Sequence, residues 1–273
     1  MTATWQSDEP QIAHAPPGVA GWLRVIARGV PLAILVFGGL IVLLLVRMVE
    51  RPVCGLGRPV TPGITQFVCR NALRLMGIGY RIQGDPMDGP GAVVANHSSW
   101  LDIFALNAAR RVYFVSKDEV AGWPVIGWLA RATGTVFIKR ERREARSQVA
   151  IFQERLAAGH KLLFFPEGTS TDGLRVLPFK PTLFAAFCAP GFETLSLQAV
   201  TLVYQAPPDE DARFYGWWGT MGFGAHLLHT LAARRHGRIT VIFHAPVTLA
   251  DHPTRKSIAK TLEDQVRENL VRG

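Results

Sequence analysis

Cysteine is nearly absent: Cys54, Cys69 and Cys188 are the three in 273 residues. They are odd in number and far apart, which excludes a disulfide framework and a cysteine-based metal site, and points to an intracellular globular part. Acidic residues are also short, 21 against 30 lysines and arginines. The formal charge of +9 that results favours an anionic partner: membrane surface, phosphorylated substrate, acidic carrier or nucleic acid. Charged residues of both signs make up only 19% and apolar residues 48%, which excludes disorder over most of the length. Long hydrophobic runs are limited to one, so a polytopic membrane protein is excluded. No internal repeat, low-complexity tail or Gly-x-Ser-x-Gly elbow is present, and a serine hydrolase is left without support. Nucleic-acid motifs are missing too, and the aromatics are not interleaved with basic residues as a stacking platform requires.

The one long run is Val30 to Val46, VPLAILVFGGLIVLLLV, seventeen residues without a charge. As a helix it measures about 26 Å, slightly under the ~30 Å hydrocarbon core. Extension to Trp22 and Met48 makes a transmembrane helix feasible, with Arg24, Arg28 and Arg47 snorkelling. A signal peptide does not fit, because the apolar core starts late and no small-residue cleavage site precedes Glu50 and Arg51. Arg47, Arg51, Arg58, Arg70 and Arg74 follow the run, against Arg24 and Arg28 before it. The positive-inside rule then places the C-terminal bulk on the cytoplasmic side of the inner, cytoplasmic membrane. Gly38-Gly39 at the middle keeps an in-plane or re-entrant anchor as a rival. The expected organisation is a disordered stretch over 1–20, with Pro10, Pro16 and Pro17, then an anchor helix over 21–55. A linker and a basic amphipathic helix (Ile64 to Ile78) fill 56–79, and one folded domain covers 80–273.

Within that domain short β-rich runs alternate with helical stretches. Strands are expected at Tyr80–Gln83, Ala92–Ala95, Val112–Val115, Thr135–Lys139, Leu162–Phe165, Leu197–Tyr204 and Ile239–His244. Helices are expected at Ser99–Arg110, Lys117–Ala132 (broken near Pro124), Arg142–Ala158, Ala225–Arg235 and Thr254–Val271. The alternation predicts an α/β fold, a layered and mostly parallel sheet flanked by helices.

Three motifs carry chemistry. Asn96-His97-Ser98-Ser99-Trp100-Leu101-Asp102 follows the strand GAVVA. With His97 before the helix, the first turn can return Asp102 to the imidazole, fixing its tautomer and making a general base aimed at a hydroxyl. Ser99-x-x-Asp102 also reads as a helix capping box. Phe165-Pro166-Glu167-Gly168-Thr169 stands at another strand end, where loops of α/β sheets converge on one crevice. Glu167 could accept hydrogen bonds from acceptor hydroxyls there, and the Gly168 and Thr169 amides could form an anion nest. Phe137-Ile138-Lys139-Arg140 ends a third strand and brings two cations, of which the Arg140 fork suits a phosphate. Lys117 is a weaker oxyanion or phosphate candidate. His226-x2-His229 and His236 have no nearby carboxylate or cysteine to complete a metal site, so none is assigned.

In this order the motifs resemble the glycerolipid acyltransferase family, the lysophospholipid and 1-acylglycerol-3-phosphate acyltransferases. That family's pattern is Asn-His-x4-Asp, then Phe-Ile-x-Arg, then Phe-Pro-Glu-Gly-Thr. Leu177-Pro178-Phe179-Lys180 resembles a further segment, whereas Gln198-Ala199-Val200-Thr201-Leu202 lacks the proline of the family's fourth block. The resemblance implies that 80–273 is an acyltransferase catalytic domain. His97, oriented by Asp102, would deprotonate an acceptor hydroxyl that attacks the thioester of acyl-CoA or acyl-acyl carrier protein, with no other cofactor. Lys117, Lys139, Arg140, Glu167, Gly168 and Thr169 would bind substrate. The first expectation for the acceptor is 1-acyl-sn-glycerol-3-phosphate, giving phosphatidic acid. The run Thr169 to Lys180, with Phe214-Tyr215-Gly216-Trp217-Trp218-Gly219, also resembles a bacterial branch that includes lyso-ornithine lipid acyltransferases, whose acceptor is a hydroxy-fatty amide without glycerol phosphate. A non-catalytic basic membrane-binding module is the alternative of another class.

Overall fold

The computed structural model describes residues 5–7, 10–12, 16–139, 142–252 and 254–270. Helix α1 (Val19–Cys54) and α2 (Thr61–Met76) lead into a sheet of β1 (Gly79–Gln83), β2 (Gly91–Ala95), β3 (Tyr113–Lys117), β4 (Val136–Ile138), β5 (Lys161–Phe164), β6 (Ser196–Gln205), β7 (Arg238–Phe243) and β8 (Val247–Thr248). Helices α3 (Leu101–Ala109), α4 (Ile126–Thr133), α5 (Ala145–Ala157), α6 (Phe223–Ala232) and α7 (Arg255–Leu270) lie between and after the strands. The spatial order is β1-β7-β6-β2-β5-β3-β4, with β8 paired to β6. Neighbours are parallel except β6 with β7 and β6 with β8. The architecture is therefore α/β, a mostly parallel sheet with helices on its faces. The central strand β2 reads as a continuous apolar run because both its faces are covered, and the eight interior residues of β6 are buried as well, Gln198 and Thr201 among them.

The strands lie where the periodicity predicts them, within two residues, except for the added two-residue β8. The stretch expected as one broken helix over Lys117–Ala132 is a 3₁₀ turn (Asp118–Gly122) followed by α4. Pro124 disfavours helical geometry in its neighbour before it, and Val125 takes a positive φ of 63° immediately before α4.

The apolar helix α1 is continuous for 36 residues, through Pro31 and through Gly38-Gly39. Gly39 marks a helix crossing, since a Cβ there would stand 2.4 Å from Val68 Cγ2 of α2. Arg24, Arg28 and Arg47 are not the snorkelling residues expected. Arg24 Nε donates to Ala232 O at 2.7 Å, and Arg28 Nη1 donates to Leu231 O and Ala233 O at 2.9 and 2.6 Å. Arg47 pairs with Glu50 at 3.1 Å, and Glu50 accepts the Val60 and Thr61 amides that open α2. One end of α1 is thus tied to α6 and the residue after it, and the other to the first turn of α2. Its remaining surface carries exposed Leu23, Ile26, Ile34, Ile41, Leu45 and Met48. Within the stretch expected to lack structure, Trp5 donates its amide to Thr169 Oγ1 at 3.3 Å, and Gln11 donates to Trp218 O at 3.3 Å.

Candidate active site

Strand β2 hands the chain to Asn96 and His97 at its C-terminal end. Asn96 is buried and closes the ladder against β6: it donates to Leu202 O at 2.9 Å and accepts from Leu202 N at 2.8 Å. The next residue is thereby pinned in place. His97 Nδ1 lies 2.6 Å from Asp102 Oδ2, and the same oxygen accepts the Ser98 and Ser99 amides at 2.8 and 3.1 Å. The other oxygen, Oδ1, accepts from the Tyr204 hydroxyl on β6 at 2.5 Å. Four donors on one fully buried carboxylate leave it no second position. With Asp102 accepting, the shared hydrogen belongs to Nδ1, and Nε2 is the nitrogen left to take a proton. The ring stacks on Phe165 with centroids 4.0 Å apart, and the His97 side chain stays 20% exposed. The capping box forms only in one direction: Asp102 reaches back to the Ser99 amide, while α3 starts from Trp100 without a side-chain cap.

Glu167 sits at the end of β5, the strand beside β2. The expectation that it meets acceptor hydroxyls does not match its placement. It is fully buried, and its two oxygens accept the His97 and Leu177 amides at 2.7 Å each. Burial raises its pKa to about 8 against the pull of those two amide bonds. Its geometry braces the His97 loop from behind. The expected anion nest is also altered, because the Gly168 amide (φ +75°) is committed to Phe165 O at 3.1 Å. Thr169 is half-buried, with its hydroxyl oxygen against the Trp5 amide. Two further loops hold the His97 segment: Thr171 N donates to His97 O at 2.9 Å and Trp217 N to Ser98 O at 2.8 Å.

Lys117 ends β3, and Lys139 follows β4, so both stand on the same sheet edge as His97. At ~4.8 Å per strand they are roughly two and three strands, about 10 and 14 Å, away across the sheet. Lys139 is exposed. Arg140 lies outside the described residues. His226 is buried and accepts the Trp100 indole N–H at 2.9 Å. Among the described residues no group of three His, Cys, Asp or Glu side chains could hold a metal ion.

Sequence reasoning passed over Tyr204 and named Asn96 only as the first residue of the His97 motif, with no role of its own. The signal for Tyr204 was a phenol near the end of a mostly apolar strand, where a buried hydroxyl must find a partner. Burial, with the Asp102 charge behind it, pushes its pKa well above the usual value and keeps it a donor.

The profile of the acyltransferase family matches residues 80–201. A lyso-ornithine lipid O-acyltransferase of Rhodobacter capsulatus is 53% identical over 267 residues, covering 97% of this chain and 96% of that protein. A 1-acyl-sn-glycerol-3-phosphate acyltransferase of Neisseria gonorrhoeae is 37% identical over 131 residues, 47% of this chain and 51% of that protein. Among solved structures, the 1-acyl-sn-glycerophosphate acyltransferase PlsC of Thermotoga maritima has the same fold, with a TM-score of 0.65 at 19% identity over 93% of this chain and 96% of that one.

Proposed function

The chain belongs to the acyltransferase family, and from that premise we propose that it moves a fatty acyl group to the free hydroxyl of a lyso-ornithine lipid. The observation that carries this acceptor is the extent of likeness. Similarity to the Rhodobacter protein runs through the whole chain, α1 and α2 included, whereas similarity to the Neisseria protein stops at about half. The first expectation, 1-acyl-sn-glycerol-3-phosphate, gives way on that ground.

His97 acts as general base. As the acceptor oxygen attacks the thioester carbonyl of acyl-CoA or acyl-acyl carrier protein, Nε2 takes its proton. The tetrahedral intermediate then collapses, the C–S bond breaks, and the leaving thiolate is protonated by the imidazolium. Asp102 stabilises that cation and holds the ring, and Glu167 holds the backbone from which the ring projects. Base assistance of this kind is worth ~10²- to 10⁴-fold. Lys117, Lys139, Arg140 and Thr169 remain the proposed substrate contacts around the crevice.

The enzyme works at the cytoplasmic membrane with α1 as its anchor. The helix is long and apolar enough to cross a bilayer. Its two tied ends, Arg24 and Glu50, are 26 residues or about 39 Å apart. A helix fastened to α6 at one end and at the other to α2, which itself bonds to the end of α3, lies alongside the domain and is poorly placed to thread a ~30 Å core. This geometry favours an in-plane anchor over a span.

The test is purified protein with labelled acyl-CoA or acyl-acyl carrier protein and a panel of lysolipids, read by mass spectrometry. Acylation of lyso-ornithine lipid, lost in His97→Ala, is expected. Acylation of lysophosphatidic acid alone would overturn the acceptor assignment.

A further inference from the structure

At the opposite end of the sheet from His97 lies a cavity of about 730 Å³. Its walls include Arg58, Arg70, Arg110, Arg111, Lys161 and His160. Lys161 opens β5 and Glu167 follows its end, so about 20 Å of strand separates this cavity from the catalytic loop. The cations are held but not neutralised. Arg58 and Arg70 each spend one nitrogen on a backbone carbonyl, Ala132 O at 2.9 Å and Ala108 O at 2.8 Å. Arg111 reaches Pro59 O at 3.4 Å, and a guanidinium has five N–H donors, so several are left over in each fork. Asp88, on Arg110 at 3.3 Å, is fully exposed, and Glu50 is taken by Arg47, Thr61 and two amides.

The crowding shows in the titrating groups. Burial and then the Arg58 charge lower Arg155, directly behind Tyr113, to about 10, and burial followed by the Arg110 charge lowers Lys161. His160 is 3% exposed and stacks on Tyr113 at 4.0 Å. Both its ring nitrogens are buried without a hydrogen bond of normal geometry. Such a site is built for an anion.

A second cavity, apolar and about 590 Å³, lies between α1 and α2 and is lined by Leu35, Gly39, Val60, Ile64 and Phe67. The two cavities flank the first turns of α2: Pro59, Pro62 and Gln66 line the basic one, while Val60, Gly63 and Phe67 line the apolar one. Val60 and Phe67 are exposed at 53% and 62%. A ligand matching both halves carries a phosphate on an acyl chain.

We propose that this pair of cavities binds an anionic phospholipid, its phosphate among Arg58, Arg70, Arg111 and Lys161 and one acyl chain along the α1–α2 groove, as a site distinct from the acyl-transfer crevice. It rests on the membrane placement of α1 given above.

The test titrates phosphatidylglycerol, phosphatidylcholine or inorganic phosphate into the full chain in a neutral detergent and follows the melting temperature. Phosphatidylglycerol should raise it, phosphatidylcholine should not, and phosphate should act only at far higher concentration. Arg111→Gln with Lys161→Gln should weaken the phosphatidylglycerol effect about 25-fold, at roughly fivefold per cation near a lipid phosphate. Acyl transfer in phospholipid-free detergent should stay at the wild-type level, which shows that the variant is folded. A control with the same charge change elsewhere, Arg234→Gln with Arg235→Gln, should leave the titration unmoved. An equal loss in that control, or equal stabilisation by both lipids, overturns the site; stabilisation by phosphate as strong as by phosphatidylglycerol overturns its lipid occupant. Flotation on neutral vesicles is read separately: failure to float there counts against the α1 anchor and leaves the detergent titration to decide the pocket.

Discussion

Asp102 collects four donors, two of them backbone amides, and the two side-chain donors can be removed singly. Tyr204→Phe deletes the hydroxyl 2.5 Å from Oδ1 and keeps the ring. The loss of one hydrogen bond, ~1.4 kcal/mol, should lower kcat about tenfold without moving the acceptor KM. His97→Ala should cost ~10²-fold or more, and the two changes together should not multiply. An unchanged kcat in Tyr204→Phe would make that residue a packing group. Glu167 gives a pH signature. The folded chain holds its proton up to about pH 8, whereas the free carboxyl releases it near 4.5. Between those values the folded state binds more protons, so this residue makes stability fall as pH rises. In Glu167→Gln the denaturation midpoint should lose that slope; a slope equal to wild type would mean Glu167 is already ionised in the fold. For a lyso-ornithine acceptor, with carboxylate and ammonium together, Arg140→Ala should change KM little and with little salt dependence. A large, salt-sensitive rise would point to a phosphate acceptor.

The elements show how much could be read before any coordinates. His97 and Asp102 are five residues apart, so their pairing was open to local reasoning about a turn entering a helix. Glu167 and Tyr204 reach their partners across 70 and 102 residues, through strand adjacency that only the sheet order reveals. Periodicity could place strands but could not state that β6 lies beside β2, nor that Glu167 turns inward. The α1–α2 unit was legible as two helices, but the reason for Gly38-Gly39 at the middle of α1 was not: Gly39 is small because Val68 occupies the space. Gly39→Leu should therefore pry α2 from α1 and lower the melting temperature in detergent, with Gly38→Leu, which has open space, as the silent comparison. Glu50→Ala leaves the Val60 and Thr61 amides and the Thr61 hydroxyl without their acceptor, a cost of about 1–3 kcal/mol in thermal unfolding.

Among the described residues the molecule has one sheet, the His97 loop at one end of it, and an apolar helix laid along its side. Attachment to a bilayer by that helix should survive high salt, because the exposed stripe is apolar and screening acts on charge. Release of the full chain from vesicles at about 1 M salt would assign attachment to the +9 instead. The fastening of α1 also has a meaning in time. Arg24 waits for a carbonyl 208 residues further along the chain. At ~5–20 residues per second of synthesis, about 10–40 s pass before Ala232 exists. During that interval the greasiest helix of the protein has left the ribosome with its docking face and its outer face both bare. In the membrane placement proposed above, the bilayer, or a chaperone standing in for it, is then the first partner α1 meets, before the acyltransferase domain is finished.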